Sequence, residues 1–303
     1  MCSLVNGRPL VYGRVMRSCA LKRVPLGPAL WGVLWTLAGC IPSDFDNLAT
    51  TDDAGTAAEE SRAWWQPMTV VSWQWQLSGA LDTSYDVAMY NVDLFTVSAA
   101  SIAGLQSEGR KVICHLSAGS HEDWRSDAAE FPAAVIGAAL DNVEGERWLD
   151  VRSQATRALM LARLELARDK GCDGVEPDNV DGYLVDSGFL LTMADLVDYV
   201  RFLADESHRR GLSVGLTNAV ELVDMLEPNL DWALNAECLR YEECERLRPF
   251  LDAGKPVFHV EYVESVQELE SAAERICGAQ ARQGFNTLVK ARGLGPASVA
   301  CAL

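Results

Sequence analysis

The sequence has few of the residues and motifs that bind metals and nucleotides. It contains only four histidines, none in an H-x-x-x-H arrangement, and its nine cysteines include no C-x-x-C pair. Both absences argue against a zinc site. It also has no G-x-G-x-x-G and no G-x-x-x-x-G-K-[ST] segment, the usual phosphate-binding loops. Ser117 has no G-x-S-x-G context, which argues against serine-hydrolase chemistry. We therefore predict neither a metal nor an organic cofactor.

Basic residues are scarce outside the N-terminus. Five of the 26 basic residues, but none of the 43 acidic ones, lie in residues 1–39, so the rest of the chain carries a formal charge of −22. Such a chain lacks the basic face that phosphate binding requires, and nucleic acid is not an expected partner. The acidity would attract a cationic substrate, although it would serve solubility equally well.

The first 39 residues have the pattern of a signal peptide. A basic segment without acids precedes a short apolar run, Leu26–Leu37, and Leu-Ala-Gly then leads into Cys40. This ending resembles a bacterial lipobox and predicts that Cys40 is lipidated and anchors the exported protein to the cell envelope. An uncleaved anchor helix and a start at Met16 are the alternatives. The composition of residues 40–62 predicts a flexible acidic linker. We expect the remaining residues, 63–303, to form one domain.

Six cysteines lie within that domain, and an even number in an exported protein indicates disulfide bonds. Many pairings are open to six cysteines. The scheme that we favour has three pairs. Cys238–Cys244 is close in sequence, Cys277–Cys301 flanks the last predicted strand, and Cys114–Cys172 would join the neighbouring third and fourth strands.

Apolar runs alternate with amphipathic segments along the domain, as in a parallel sheet covered by helices. The candidate strands are Val70–Leu77, Val87–Leu94, Lys111–Leu116, Gly174–Glu176, Ser213–Leu216, Trp232–Asn235, Val257–Tyr262 and Thr287–Lys290. The candidate helices are Ser101–Glu108, Thr156–Lys170, Thr192–Arg210, Glu242–Ala253 and Val266–Gln283. The number of strands, and a domain close to the ~250 residues typical of one barrel, favour a (β/α)8 TIM barrel in the α/β class.

One stretch, Asp173–Tyr183, carries four acids at a predicted strand end. In a TIM barrel the carboxyl ends of the strands form the active site. Crowded carboxylates repel one another, and their pKa values spread apart. Glycoside hydrolysis needs such a pair, one ionised nucleophile and one protonated acid. A calcium loop, or helix capping by Asp178 or Asn179, is the structural alternative.

Six segments, in order along the chain, resemble motifs of glycoside hydrolase family 114, the endo-α-1,4-polygalactosaminidases. They are Trp73–Leu77, Val112–Ser120, Glu122–Arg125, Glu146–Arg152, Gly171–Tyr183 and Lys255–Tyr262. The resemblance implies a TIM barrel, cleavage of α-1,4-linked galactosamine polymers, and catalytic carboxylates after the fourth and sixth strands. Asp178 matches the fourth-strand nucleophile. The substrate-binding residues that we expect are Trp75, Asp93, Ser117, Glu176, Asn179, Asp181, Asn218, Glu261 and Tyr262.

The sixth strand departs from the family pattern Asn-Glu-x-Cys. The segment that begins at residue 235 is Asn-Ala-Glu-Cys, so Ala236 stands at the acid/base position and Glu237 follows one residue later. A shift of one residue turns a strand side chain to the opposite face, unless a bulge re-aims it. We expect Glu237 to be the shifted acid/base, with Glu261 or Glu176 as substitutes. His115 also stands where the family often has tyrosine.

Three functions are consistent with these features. The first is an exported enzyme that cleaves within a cationic galactosamine exopolysaccharide through Asp178 and Glu237. The second is a surface lipoprotein that binds the polysaccharide but has lost catalysis through Ala236. The third is a hydrolase of another amino-sugar or α-linked glycan, because a fold does not fix the substrate.

Overall fold

Eight parallel strands form the centre of the region that the computed structural model describes, residues 64–141 and 143–302. They are β1 (Trp73–Gln76), β2 (Met89–Asp93), β3 (Lys111–Ser117), β4 (Gly174–Asp178), β5 (Ser213–Thr217), β6 (Trp232–Ala236), β7 (Val257–Val263) and β8 (Asn286–Ala291). Each strand pairs in parallel with the next one along the chain. The predicted (β/α)8 barrel is confirmed.

A ninth strand, which the sequence did not predict, lies at the seam of the nearly closed barrel. Ser298–Ala300 runs antiparallel to β8. The segment before it is bonded to β1 and its continuation: Gln74 Nε2 donates to the Pro296 carbonyl (2.6 Å), and Leu77 N donates to the Leu294 carbonyl (3.0 Å). Three residues are too few to give a recognisable strand pattern.

The helices cover the outside of the barrel. They are α1 (Ala99–Ser107), α2 (Gln154–Lys170), α3 (Met193–Arg209), α4 (Val223–Leu226), α5 (Arg248–Asp252) and α6 (Leu269–Cys277). The last two are much shorter than the predicted Glu242–Ala253 and Val266–Gln283. Pro249 lies in the first turn of α5. Proline is tolerated there but not in a helix interior, because it has no backbone N–H and its ring clashes with the preceding turn. The helix therefore begins at Arg248 and not at the predicted Glu242. Helix α6 ends at Cys277, which is tied to Cys301.

Side chains alternate across each strand, and the two faces pack into separate apolar clusters. The inner cluster includes Trp73, Trp232, Phe258 and Leu288 from four different strands. A larger cluster lies between the strands and the helices. Burial on both faces explains why the strands are nearly continuous apolar runs, and it gives the polar strand ends a rigid support.

An accessory sheet and three disulfide bonds complete the domain. The short strands Ser120–Glu122, Ile136–Ala139 and Glu146–Leu149 form an antiparallel sheet between β3 and α2. The sequence did not predict these strands. The disulfide bonds are Cys114–Cys172, Cys238–Cys244 and Cys277–Cys301, as predicted.

The predictions for the N-terminus concern residues outside the described region. They include the signal peptide over 1–39, the linker over 40–62 and the lipidation of Cys40. Among the described residues, no helix is long and apolar enough to span a membrane.

Candidate active site

The end of β4 directs acidic side chains into the mouth of the barrel. Gly174 faces Ile113 of the inner cluster, because a Cβ on this glycine would lie 2.7 Å from Ile113 Cδ1. Since strand side chains alternate, Glu176 and Asp178 point inward as well. Two of the predicted residues therefore lie one above the other on the inner face of the barrel.

Backbone contacts between β3 and β4 fix the position of Asp178. Its carbonyl accepts hydrogen bonds from Ala118 N (2.9 Å) and Gly119 N (3.1 Å), and its Oδ1 accepts one from Asn179 N (2.7 Å). Asn179 has a left-handed backbone, φ 60°, which asparagine tolerates better than most residues. Gly119 is required, because a Cβ there would lie 1.7 Å from the Asn179 carbonyl oxygen.

The buried side chains of His115 and Glu176 form a charged group with the half-buried Asp178. His115 Nδ1 lies 3.4 Å from Glu176 Oε2, and the Glu176 side chain is completely buried. Asn91 Nδ2 donates to Glu176 Oε2, and Thr217 Oγ1 donates to Oε1 at 3.3 Å. The Glu176 carboxylate is therefore surrounded by its own partners, a geometry that suits positioning better than direct contact with a substrate.

The titration of this group is strongly shifted. Burial raises the pKa of Asp178 to about 7; Glu176 adds to that rise, while His115 opposes it. Burial alone would lower the pKa of His115, but the neighbouring Glu176 outweighs it and raises the pKa to about 9. At neutral pH His115 is thus a cation beside a partly ionised Asp178. Such shifts in a cleft are typical of catalytic sites.

A network that the sequence did not predict holds the side chain of Asn179. Its Nδ2 donates to Ser120 Oγ and to Glu146 Oε1, both at 2.8 Å, and Ser120 donates to Glu146 in turn. Burial raises the pKa of Glu146. The presence of Glu146 in the family-like segment Glu146–Arg152 was the only signal for it.

Asp93, at the end of β2, is engaged in a buried chain of ion pairs. Arg125 Nη2 lies 2.7 Å from Asp93 Oδ2 and donates to Glu122 Oε1 at 2.7 Å. Burial by itself would raise the pKa of Asp93, but pairing with Arg125 produces a net lowering. These ion pairs stabilise the loop that follows β3. The Asp93 carboxylate is thus already paired with Arg125. Nothing in the sequence indicated that Arg125 would be its partner.

The end of β6 provides an alanine where β4 provides an aspartate. Ala236 shares the inward parity of Trp232 and Leu234, which belong to the inner cluster. Its N–H donates to Asn218 Oδ1 at 2.9 Å. Asn218, one of the predicted substrate-binding residues, therefore holds the end of β6. No carboxylate projects from the inward face of this strand.

Glu237 lies beyond β6 and has a left-handed backbone, φ 67°. Its Oε1 accepts hydrogen bonds from Arg240 Nη1 (2.8 Å) and Arg292 Nη2 (2.9 Å). Arg292 comes from the segment after β8, 55 residues away. The sequence predicted that Glu237 would lie near the site but not that two guanidinium groups would hold it.

Several clefts open at this face, and Glu237 lines two of them. The first, of about 620 Å³, is also lined by Arg240, Glu261, Tyr262 and Arg292. The second, of about 360 Å³, is also lined by Asp181, Asn218, Glu221, Ala236, Tyr241 and Glu243. The predicted residues Asp181, Asn218, Glu237, Glu261 and Tyr262 therefore all contact accessible space.

Tyr262 and Trp75 stack inside the mouth, with ring centroids 6.5 Å apart. Trp75 is only 3% exposed and belongs to the inner cluster, so it packs as core. Burial raises the pKa of Tyr262, and the charges of Asp178, Glu176 and Glu237 raise it further. Tyr262 therefore lies near the carboxylates of β4 and near Glu237.

The remaining two predicted residues have partners inside the protein. Glu261 Oε1 accepts from Leu239 N (2.8 Å) and bonds to His259 Nε2 (3.0 Å). Ser117 is 3% exposed, and its carbonyl accepts from Arg163 Nη1 at 2.6 Å. Both support the rim from within.

Two groups of donor atoms lie within 4.8 Å of one another in the described region. One is His115, Glu176 and Asp178, the charged group described above. The other contains Cys238 and Cys244, which are joined as a disulfide. Because a disulfide offers no thiolate, the second group does not fit a metal site.

An eight-stranded parallel barrel with a carboxylate cleft at the strand ends has the architecture of a TIM-barrel glycoside hydrolase. The chain belongs to glycoside-hydrolase family GH114, whose model matches residues 54–303. The resemblance seen in the sequence is therefore confirmed.

Solved structures agree with this assignment. The crystal structure of Aspergillus fumigatus Ega3 in complex with galactosamine is 41% identical to this chain, covers 82% of it and 100% of Ega3, and superposes with a TM-score of 0.76. The glycoside hydrolase domain of PelA from Pseudomonas aeruginosa is 16% identical, covers 77% of this chain and 98% of that domain, and gives a TM-score of 0.59. The PelA likeness shows the fold alone.

An uncharacterized protein of Deinococcus radiodurans is 29% identical over 195 residues, which are 56% of this chain. The match spans 61% of the length of that relative.

Proposed function

We propose that this protein is an endo-acting, retaining glycoside hydrolase that cleaves α-1,4-linked galactosamine polymers. Membership of GH114 and 41% identity to a protein crystallised with galactosamine support this substrate class. The formal charge of −22 beyond residue 39 supports a polymer that carries free, protonated amines.

The observation that carries the proposal is the environment of Asp178. A nucleophile in glycoside hydrolysis must be ionised, close to the sugar and fixed in position. Contacts with Ala118, Gly119 and Asn179 fix Asp178, and the cationic His115 favours its ionised form. Asp178 attacks the anomeric carbon and forms a glycosyl-enzyme intermediate, which water then hydrolyses with retention of configuration.

The residues that we predicted to bind substrate divide into two roles. We propose that the predicted residues that line the clefts contact the sugar: Asp181, Asn218, Glu237, Glu261 and Tyr262. Carboxylates there would accept hydrogen bonds from the amines of the polymer. The other predicted residues would position these groups, since partners inside the protein already engage them: Trp75, Asp93, Ser117, Glu176 and Asn179.

A second candidate function is polysaccharide binding without catalysis. Ala236 favours it, because it leaves the inward face of β6 without a carboxyl group. Loss of a general acid/base costs roughly 10²–10⁴-fold in rate. The cleft and the acidic charge would survive such a loss, so a binding protein would have the same surface.

Export and attachment through lipid on Cys40 are a further part of the proposal. They would place the site at the cell envelope, where an exopolysaccharide substrate occurs. Labelling cells with an alkynyl fatty acid tests this attachment: the wild-type protein should carry the label, and Cys40→Ser should abolish it. Labelling that persists in the variant would contradict it.

The catalytic proposal is tested by incubating the full-length protein with deacetylated α-1,4-galactosamine polymer and measuring new reducing ends. Asp178→Asn should lower the rate by about 10⁴-fold or more, the scale seen when a nucleophile is removed. The matched control is Asp186→Asn, an exposed aspartate of the same loop, which should change the rate less than about twofold. A wild-type protein that binds the polymer without cleaving it, together with cleavage by Ala236→Glu, would establish the binding alternative.

A further inference from the structure

The missing carboxyl at Ala236 raises the question of which group protonates the leaving oxygen. The group must line the same cleft as Ala236 and lie close to Asp178. Four carboxyl groups line that cleft: Asp181, Glu221, Glu237 and Glu243.

Three of the four have side-chain partners. Glu237 is bonded to Arg240 and Arg292, as described above. Glu221 lies 3.6 Å from Arg246, and Glu243 Oε1 accepts from Asn235 Nδ2 at 3.3 Å. A carboxylate neutralised by two guanidinium groups is poorly suited to carry and release a proton. Glu237 therefore fits a structural anchor better than a general acid.

Asp181 differs from the other three. Among the described residues, no side chain pairs with its carboxyl group. Burial raises its pKa, and the charge of Glu221 raises it further. It follows Asp178 by three residues in the turn after β4, close enough for its charge to raise the pKa of Asp178. A carboxyl group whose pKa is raised, which lines the same cleft as Ala236 and which has a second carboxyl group nearby, matches the requirement for a general acid.

We propose that Asp181 is the catalytic acid/base of this protein, so that the role has moved from the end of β6 to the loop after β4. This inference rests on the proposed hydrolase function. In the first step the Asp181 proton passes to the glycosidic oxygen as the C1–O bond breaks and an Asp178 oxygen bonds to C1. In the second step the Asp181 carboxylate takes a proton from water as the water oxygen attacks C1 and Asp178 departs.

Two substrates separate an acid/base from a residue that only binds or shapes the cleft. The first is the deacetylated polymer, whose leaving group needs protonation. The second is the α-glycosyl fluoride of a galactosamine oligosaccharide, whose leaving group needs little help. Full-length wild type, Asp181→Asn, Glu237→Gln and the control Asp186→Asn are compared on both, with and without sodium azide, a nucleophile that needs no general base.

Asp181→Asn should lose about 10²–10⁴-fold on the polymer but less than about tenfold on the fluoride. Azide should accelerate this variant and yield an α-glycosyl azide. Glu237→Gln should show no azide rescue. The inference is overturned if Asp181→Asn stays within threefold of wild type on the polymer, or if Glu237→Gln alone shows rescue, and the hydrolase function survives both results. A wild type that cleaves neither substrate overturns the function and the inference together.

Discussion

The ends of β4 and β6 lie on the same rim of the barrel, yet they hold their carboxylates in opposite ways. Asp178 is part of the strand, points inward and is fixed by backbone contacts with β3. Glu237 lies beyond its strand, has a left-handed backbone and is neutralised by Arg240 and Arg292. The geometry at the end of β4 suits a carboxylate that reacts, whereas the geometry at the end of β6 suits a carboxylate that stabilises the rim.

This difference shows that the barrel fixes the positions of the side chains at the rim but not their chemical roles. The inward position at the end of β6 is kept, since Ala236 N is still held by Asn218. Only the carboxyl group is gone from that position. In the proposed hydrolase the proton donor then has to come from another element that reaches the same cleft, and Asp181 in the loop after β4 lines it.

The largest stability effects should come from two disulfide bonds, one that precedes β4 and one that follows β6. Cys114–Cys172 spans 58 residues and ties β3 to the turn before β4, whereas Cys238–Cys244 spans 6 residues after β6. Because a longer loop restricts the unfolded chain more, Cys114→Ala/Cys172→Ala should lower the free energy of unfolding by about 4 kcal/mol and Cys238→Ala/Cys244→Ala by about 2 kcal/mol. Urea denaturation measures both, and an equal or reversed pair of losses would contradict the comparison.

A smaller effect is expected where β3 approaches the β4 turn. Gly119→Ala places a methyl group against the Asn179 carbonyl, so it should cost about 1–3 kcal/mol of unfolding free energy. It should also lower activity by about 10²-fold through displacement of Asp178. Gly104→Ala in α1 is the matched control, because its Cβ meets open space; it should stabilise the protein by about 0.5–1 kcal/mol. Similar changes in unfolding free energy and in activity for both variants would contradict the claim that Gly119 positions Asp178.

The smallest effect is a change in pH dependence. In the proposed mechanism the nucleophile Asp178 has to be ionised, so the acidic limb of kcat/KM should lie near the pKa of about 7. His115 lowers that pKa, and His115→Gln should therefore move the limb upward by about 1 pH unit. His121→Gln, in the accessory sheet, should leave it in place. A limb that stays fixed, or moves downward in His115→Gln, would show that His115 does not control the nucleophile.

The sequence predicted the barrel well because burial on both faces produces runs such as Val257–Tyr262, which identify strands without tertiary information. It also predicted that polar residues at the carboxyl ends of the strands lie on one rim, since these ends converge in a barrel. It could not predict the partner of Glu237, because Arg292 follows β8 and reaches Glu237 only in the folded barrel. The accessory strand Ile136–Ala139 gave no signal, since Ile-Gly-Ala-Ala has no alternating pattern.

The most direct test of the central claim is to trap the nucleophile. The full-length protein is incubated with a 5-fluoro glycosyl fluoride of an α-1,4-galactosamine oligosaccharide, digested, and analysed by peptide mass spectrometry. We predict that the sugar is attached to the peptide containing Asp178 and that Asp178→Asn carries none. A sugar attached to any other residue, or hydrolysis that inverts configuration without an adduct, would contradict the assignment of Asp178.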